Sequence, residues 1–121
     1  EPTFIEISAA GKLAHDFYNG VERLFERIAV YLGPGLPAGA NWHTLLLRTM
    51  ESEVEGARPA VIDHQMALRL LDYLRFRHLF RHTYGYELEW DKLHPLVGGL
   101  EKTFGLLRQQ IEQFIQTLGQ R

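Results

Sequence analysis

A chain of 121 residues with 45% hydrophobic and 23% charged residues has the composition of one globular domain. Its net charge of −2 excludes a surface that is basic throughout, so contact with nucleic acid would require a local basic patch. The absence of cysteine excludes disulfides, thiolate nucleophiles and cysteine-based metal sites, which is consistent with a cytoplasmic protein.

The first predicted element is a long amphipathic helix that begins after Thr3. Thr3 and Glu6 have the spacing of a capping box, in which each side chain accepts a hydrogen bond from the other's backbone amide. The stretch 33–37, rich in glycine and proline, predicts the end of this helix and a loop. The apolar residues between these signals recur mostly every three or four positions, as in a helix with one buried face: Ala10, Leu13, Ala14, Phe17, Val21, Leu24, Phe25, Ile28 and Leu32.

A short second helix is predicted to follow, capped by the side chain of Asn41. The residues expected to face the core are Trp42, Leu45, Leu46 and Met50. The stretch 55–62 contains Gly56 and Pro59 and predicts a connection without regular structure.

Asp63 is predicted to cap a third helix that runs to about Tyr84 and stops at Gly85. This helix carries two apolar lines. The first is Met66, Tyr73, Phe76 and Phe80, interrupted by Arg69; the second is Ala67, Leu70, Leu71 and Leu74. Two lines predict burial on two sides, either because the helix is central in the bundle or because the second line forms a dimer face.

A last helical region begins near Trp90, is broken or kinked at Pro95 and Gly98-Gly99, and continues from Leu100 to Leu118. No alternating strand pattern, internal repeat or membrane-length apolar run is present in the sequence. The sequence therefore predicts a single all-α domain over 1–121, an up-and-down helical bundle of four to five helices. Because the chain starts at Glu1 and not at methionine, an upstream segment is expected to precede it.

The stretch 75–84, at the end of the third helix, has the highest density of candidate functional residues. Arginine is a fixed cation that can bind two phosphate oxygens at once, and histidine transfers protons near neutral pH. Together they supply what is needed to bind or cleave a phosphodiester without a metal. The candidates are Arg75, Arg77, His78, Arg81, His82 and Tyr84.

These residues also have simpler structural interpretations. Arg77 and Arg81 fit a solvated helix face, His82 fits a cation at a helix C-terminus, and Tyr84 fits a packing residue. His78 and His82 have a spacing that can chelate zinc, but no carboxylate matches them and arginines surround them, so no metal or other cofactor is expected. No role is assigned to the remaining histidines, His15, His43, His64 and His94.

The order arginine, four residues, histidine, one residue, tyrosine from Arg77 to Tyr84 resembles the signature of HepT-like toxins in the HEPN ribonuclease superfamily. In these proteins a polar residue follows the arginine, and His78 stands at that position. The long first helix and the acidic, tryptophan-containing stretch 87–90 agree with this resemblance. Arg75 also fits the looser spacing of the superfamily, but Arg77 is preferred because it keeps His78 and Tyr84 in place.

The resemblance implies a HEPN-like bundle that acts as a homodimeric, metal-independent endoribonuclease on tRNA or mRNA. It further implies the toxin of a type VII-like toxin–antitoxin pair, neutralised by a minimal nucleotidyltransferase that transfers AMP to Tyr84. By the same resemblance His82 deprotonates the ribose 2′-hydroxyl or protonates the leaving oxygen, and Arg77 stabilises the charge on the phosphorane. The supporting and phosphate-binding positions are expected at His78, Arg81 and Arg75.

Two other functions stay open at this point. The chain could be a non-catalytic accessory subunit that binds nucleotide or substrate for a small nucleotidyltransferase, or a purely structural dimerising bundle. A nucleotidyltransferase gene beside this one would support either the ribonuclease toxin or the accessory subunit. RNA cleavage would separate them.

Overall fold

The structure, a computed structural model, describes residues 3–81 and 90–120. Within these ranges the chain forms five α-helices and no β-strand, so the predicted all-α bundle is confirmed. None of the described helices is long and apolar enough to cross a membrane. The helices are α1 (Phe4–Tyr31), α2 (Trp42–Thr49), α3 (His64–Arg81), α4 (Trp90–Gly98) and α5 (Leu100–Gly119).

The capping box at the start of α1 is present as predicted. The Glu6 amide donates to the Thr3 hydroxyl at 3.1 Å, and the Thr3 amide donates to the Glu6 carboxylate at 2.8 Å. The backbone hydrogen bond from Thr3, reinforced by its side chain, holds the pKa of Glu6 below its ordinary value. Beyond the helix, the amide of Gly35 donates to the carbonyl of Ala29, and its φ of +100° is a conformation that favours glycine.

The second helix begins at the predicted position but not for the predicted reason. Asn41 occupies the N-cap position of α2, yet its side chain makes no capping hydrogen bond to any described residue. The core-facing set also differs slightly, because Leu47 is buried with Leu46 and Met50 whereas Leu45 is exposed. Leu46, Leu47 and Met50 lie on one side of a two-turn helix, and Leu45 falls outside that arc.

α3 is the central helix of the bundle and packs against each of the other four helices. Asp63 caps it as predicted, because its carboxylate accepts from the amide of Met66 at 2.8 Å. The described members of the first line, Met66, Tyr73 and Phe76, are buried within the protomer. In the second line Leu70 and Leu74 are 0% and 8% exposed, and Leu71 is partly buried. The dimer face predicted along Leu70, Leu71 and Leu74 is therefore wrong, since the protomer's own helices bury Leu70 and Leu74 and leave Leu71 only partly exposed. Dimerisation through another surface stays a prediction.

Polar side chains on α3 find partners on the two last helices. Arg69, which interrupts the first apolar line, donates to the Thr103 hydroxyl of α5 at 3.1 Å. The Tyr73 hydroxyl donates to the carbonyl of Leu96 in α4 at 2.6 Å. Burial raises the pKa of Tyr73, so its hydroxyl remains a donor over the physiological pH range.

The predicted interruption between the last two helices lies at the glycines. Pro95 is accommodated inside α4, and the amide of Gly99 donates to the Pro95 carbonyl at 2.9 Å where α4 gives way to α5. A Cβ atom at position 99 would lie 3.1 Å from that carbonyl oxygen, closer than most side chains tolerate. The predicted course of α3 beyond Arg81, the stop at Gly85 and the acidic residues 87–89 lie outside the described residues.

Arg58 holds the connection between α2 and α3 together. The residue is 1% exposed and donates to the backbone carbonyls of Ser52, Pro59 and Thr49 at 2.8, 3.0 and 3.1 Å. Loop carbonyls need hydrogen-bond partners when they are buried. The carbonyl of Thr49 also accepts from the amide of Ser52 at 3.2 Å, but the backbone amides of this connection bond to other carbonyls than those of Ser52 and Pro59. The guanidinium substitutes for the missing donors.

Arg58→Ala should lower the free energy of unfolding by about 3–5 kcal/mol, because the carbonyls of Ser52 and Pro59 lose their donor, that of Thr49 loses one of two, and a buried side chain is removed. Urea unfolding followed by circular dichroism measures this change. The matched control is Arg48→Ala, which removes an exposed arginine from α2 and should cost less than about 0.5 kcal/mol. Equal stability of the two variants would contradict the assigned role of Arg58.

Candidate functional site

An open groove of about 420 Å³ lies beside the C-terminal half of α3, where that helix faces the beginning of α2. Three of the residues in the predicted cationic stretch lie on it: Arg75, Arg77 and His78. Its other lining residues are Ala40, Asn41, His43, Thr44 and Leu74. The groove therefore combines cationic and imidazole groups from one helix with polar groups from another.

The cationic stretch divides into a buried and an exposed part. Arg77 is 5% exposed, whereas Arg75 and His78 are exposed. The side chain of Arg81 and the residues His82 and Tyr84 lie outside the described residues. The structure thus brings Arg75, Arg77 and His78 together on one groove.

Arg77 is engaged by two side chains of α1. Its Nη1 donates to Glu22 Oε1 at 3.0 Å and to Asn19 Oδ1 at 2.9 Å, and its Nη2 donates to Glu22 Oε2 at 3.1 Å. Glu22 is itself 5% exposed, so both partners of this ion pair are buried. The paired, two-pronged geometry fixes the plane of the guanidinium and neutralises its charge within the protomer.

Tyr18 lies beneath this ion pair. The guanidinium carbon of Arg77 lies 5.1 Å from the centre of the Tyr18 ring, a cation–π contact that adds to the pairing with Glu22. Burial raises the pKa of Tyr18, and the negative charge of Glu22 raises it further. Tyr18 is therefore neutral under physiological conditions and serves as a packing surface for Arg77.

His43 completes the cluster from the first turn of α2. Its Nδ1 lies 2.9 Å from each carboxylate oxygen of Glu22 and 3.1 Å from Nη2 of Arg77. Its ring stacks on Trp42, with the ring centres 3.8 Å apart. No role was predicted for His43, yet it is the histidine that the structure places directly against Glu22 and Arg77.

The sequence contains a signal for two residues of the cluster formed by Glu22, Arg77 and His43. Glu22 follows Tyr18 by four positions and precedes Phe25 by three, so it is a carboxylate on the buried face of α1. Arg77 follows Leu74 by three positions on the buried face of α3. A buried carboxylate and a buried guanidinium require partners, so a partner of opposite charge could have been predicted for each of them. His43 has no such signal, because it lies in the first turn of a helix of only two turns, which is too short to define a buried face from the sequence.

The groove is suited to an anion with an apolar portion. Arg75 supplies an exposed fixed cation, His78 supplies an exposed imidazole, and Leu74 supplies apolar surface. Among the residues that the structure describes, no three histidines or carboxylates gather in a way that could hold a metal ion. The groups present can bind phosphate oxygens and exchange protons.

A protein-family model described as "HepT-like protein" matches residues 9–118, which include α1 from its second turn, the whole groove and nearly all of α5. No curated protein and no solved structure matches the chain significantly.

The buried ion pair can be tested by a double-mutant cycle. Glu22→Leu and Arg77→Met should each lower the free energy of unfolding by about 3–5 kcal/mol, because each leaves an uncompensated buried charge. The double variant should be more stable than either single variant, since two apolar side chains leave no charge behind. Urea unfolding of the four proteins gives the coupling energy.

The control cycle uses Lys12 and Asp16, which are 2.8 Å apart on α1 with exposed side chains. An exposed pair of this kind should show a coupling energy below about 1 kcal/mol. A coupling between Glu22 and Arg77 no larger than that of the control pair would contradict the buried, charge-paired arrangement.

Proposed function

Because the chain belongs to the HepT-like protein family, we propose that it is the toxin of a toxin–antitoxin pair and a metal-independent endoribonuclease. The observation that supports the proposal best is the groove beside α3, which collects Arg75, Arg77 and His78 from the predicted motif on one surface. RNA contains its own nucleophile, the ribose 2′-hydroxyl. The protein then has to supply proton transfer and charge stabilisation, and the groove carries residue types that do both.

The two arginines of the groove have different tasks in this proposal. Arg77 is already bound by Glu22 and Asn19, so it contributes mainly a fixed edge of the site. Arg75 is exposed on the same groove and is the arginine that can bind a phosphate of the RNA backbone. His82, by the motif, transfers a proton during cleavage, and His78 supports the substrate.

The proposed regulation is AMP transfer to Tyr84 by a cognate minimal nucleotidyltransferase, the antitoxin. Tyr84 stands two residues after His82 in the chain, so a modification there adds bulk and a phosphate next to the proposed acid–base residue. The added phosphate could pair with the arginines of the stretch 75–81 and occupy the place of the RNA backbone. We also retain the homodimer implied by the motif.

A second candidate function is favoured by the burial of Arg77. Since Glu22 neutralises this arginine, the groove could serve to hold a nucleotide phosphate through Arg75 and His78 without cleaving anything. The chain would then be an accessory subunit that binds nucleotide or substrate for a nucleotidyltransferase. Cleavage of RNA by the purified protein separates the two functions.

Purified protein should cleave total RNA or tRNA in the presence of EDTA and leave 2′,3′-cyclic phosphate ends. His82→Ala should abolish cleavage. Arg75→Ala should lower kcat/KM by about tenfold and weaken its dependence on salt, because one phosphate contact is lost. Both variants should retain the melting temperature of the wild type, whereas Arg77→Ala should lose stability as well as activity.

Arg108→Ala is the matched control for Arg75→Ala, because Arg108 is an exposed arginine of α5 that does not line the groove. It should leave cleavage unchanged. Full activity of His82→Ala, or loss of cleavage on adding EDTA, would contradict the proposed ribonuclease. Tight nucleotide binding without any cleavage would favour the accessory subunit.

Co-expression with the proposed cognate nucleotidyltransferase should add one or more AMP groups to Tyr84, detected by mass spectrometry of the tryptic peptide. Tyr84→Phe should keep the ribonuclease activity and escape neutralisation, because the acceptor hydroxyl is gone. Tyr86→Phe is the control, since it removes a hydroxyl two residues away and should still be neutralised. Modification at another residue would show that Tyr84 is not the regulatory site.

A further inference from the structure

His43 lies where a proton-transfer residue of the groove would be needed. It is on the groove wall with Arg75 and His78, and about a third of its side chain, 34%, is exposed. Its Nδ1 faces inward to the buried carboxylate of Glu22. The two ring nitrogens flank Cε1 and point in diverging directions, so Nε2 is turned away from Glu22. The hydrogen bonds of His43 to residues of the described ranges 3–81 and 90–120 all run through Nδ1.

The contacts of Nδ1 determine which nitrogen carries the hydrogen. A carboxylate only accepts hydrogen bonds, so two carboxylate oxygens at 2.9 Å require a hydrogen on Nδ1. Nη2 of Arg77 lies 3.1 Å from Nδ1, but both atoms then donate to the same carboxylate. The short distance between them is therefore a contact of two donors and not a hydrogen bond. In the neutral ring this assignment leaves a lone pair on Nε2, which can accept a proton.

We propose that His43, oriented by Glu22, is the general base of the groove and takes the proton of the ribose 2′-hydroxyl. The assignment rests on the proposed ribonuclease function. Glu22 fixes the tautomer and the ring orientation, as a carboxylate does for a catalytic histidine in other hydrolases. Arg77 holds Glu22 in place through two hydrogen bonds, so the buried ion pair is a support for the base.

The step balances without a metal or a further reactant. The 2′-hydroxyl gives its proton to Nε2 of His43, and the oxygen forms a bond to the adjacent phosphorus. The bond between phosphorus and the 5′ oxygen breaks, and the 5′ oxygen takes up a proton from the general acid, which the motif assigns to His82. The products are a 2′,3′-cyclic phosphate and a 5′-hydroxyl. The resemblance gave His82 two possible roles, deprotonating the 2′-hydroxyl or protonating the leaving oxygen. With His43 as the base, only the second role remains for His82.

A second histidine–carboxylate pair in the same chain shows what is particular to His43. His64 Nδ1 lies 2.6 Å from Glu51 Oε1, but the His64 side chain is 68% exposed and the pair lies away from the groove, at the beginning of α3. Pairing with a carboxylate is therefore not sufficient to mark a base. His43 differs because its carboxylate partner is buried and is held by Arg77, and because His43 itself lies on the wall of a cationic groove.

The test compares His43→Asn with His64→Asn. Asparagine can donate an N–H to the carboxylate in place of Nδ1 but cannot accept a proton from the substrate, so a purely structural role would survive the change. His43→Asn should keep the wild-type melting temperature and KM within about threefold, while kcat falls by about 100-fold or more. His64→Asn should retain full activity. His43→Gln is measured as well, in case His43→Asn fails to fold.

A second substrate separates a base from an acid. An RNA with sulfur in place of the scissile 5′ oxygen has a leaving group that needs no proton, so loss of a general acid is tolerated and loss of a general base is not. His43→Asn should remain slow on this substrate, whereas His82→Ala should recover.

Wild-type kcat in both His43→Asn and His43→Gln, or recovery of His43→Asn on the sulfur substrate, would overturn the assignment of His43 while leaving the ribonuclease function intact. If the wild-type protein cleaves neither substrate, the proposed function fails and the assignment falls with it.

Discussion

The buried ion pair between Glu22 and Arg77 is the interaction on which the arrangement of the site depends. It joins α1 to α3 at positions 55 residues apart, and both side chains are 6% exposed. Such a pair gains little net stability over two apolar side chains, but either charge alone would be strongly unfavourable. The pair therefore fixes the register of the two helices more than it stabilises them, and the same carboxylate sets the orientation of His43.

The central position of α3 explains why the cationic stretch is both structural and exposed. Successive residues on a helix are about 100° apart, so neighbours in sequence face different surroundings. Four residues of α3 line the groove, but Leu74 and Arg77 are buried in its wall, whereas Arg75 and His78 are exposed to solvent. A motif that is continuous in sequence is thus divided by the helix into a part that supports the site and a part that can meet a ligand.

The burial of α3 also restricts where another protein chain can bind. A helix with apolar residues on two sides needs cover on both, and here the helices of the same chain supply it. The line Leu70, Leu71 and Leu74 is consequently not available as an interface. One open side of α3 is the groove, where charged and apolar side chains meet α2, and Leu68 is exposed elsewhere on the helix.

The sequence by itself determined the features that depend on short-range interactions. The capping box of Thr3 and Glu6 and the cap formed by Asp63 act within one helical turn, so the spacing of two residues was enough to predict them. The all-α class followed from the period of the apolar residues.

Tertiary structure alone decided the composition of the site. Arg77 contacts His43 across 34 residues and Glu22 across 55, and such contacts depend on how whole helices pack. The sequence placed Arg77 in a cationic motif but could not show that Glu22 neutralises it. It gave no role to His43, because the position of a residue at the start of a short helix becomes meaningful only when another helix lies beside it.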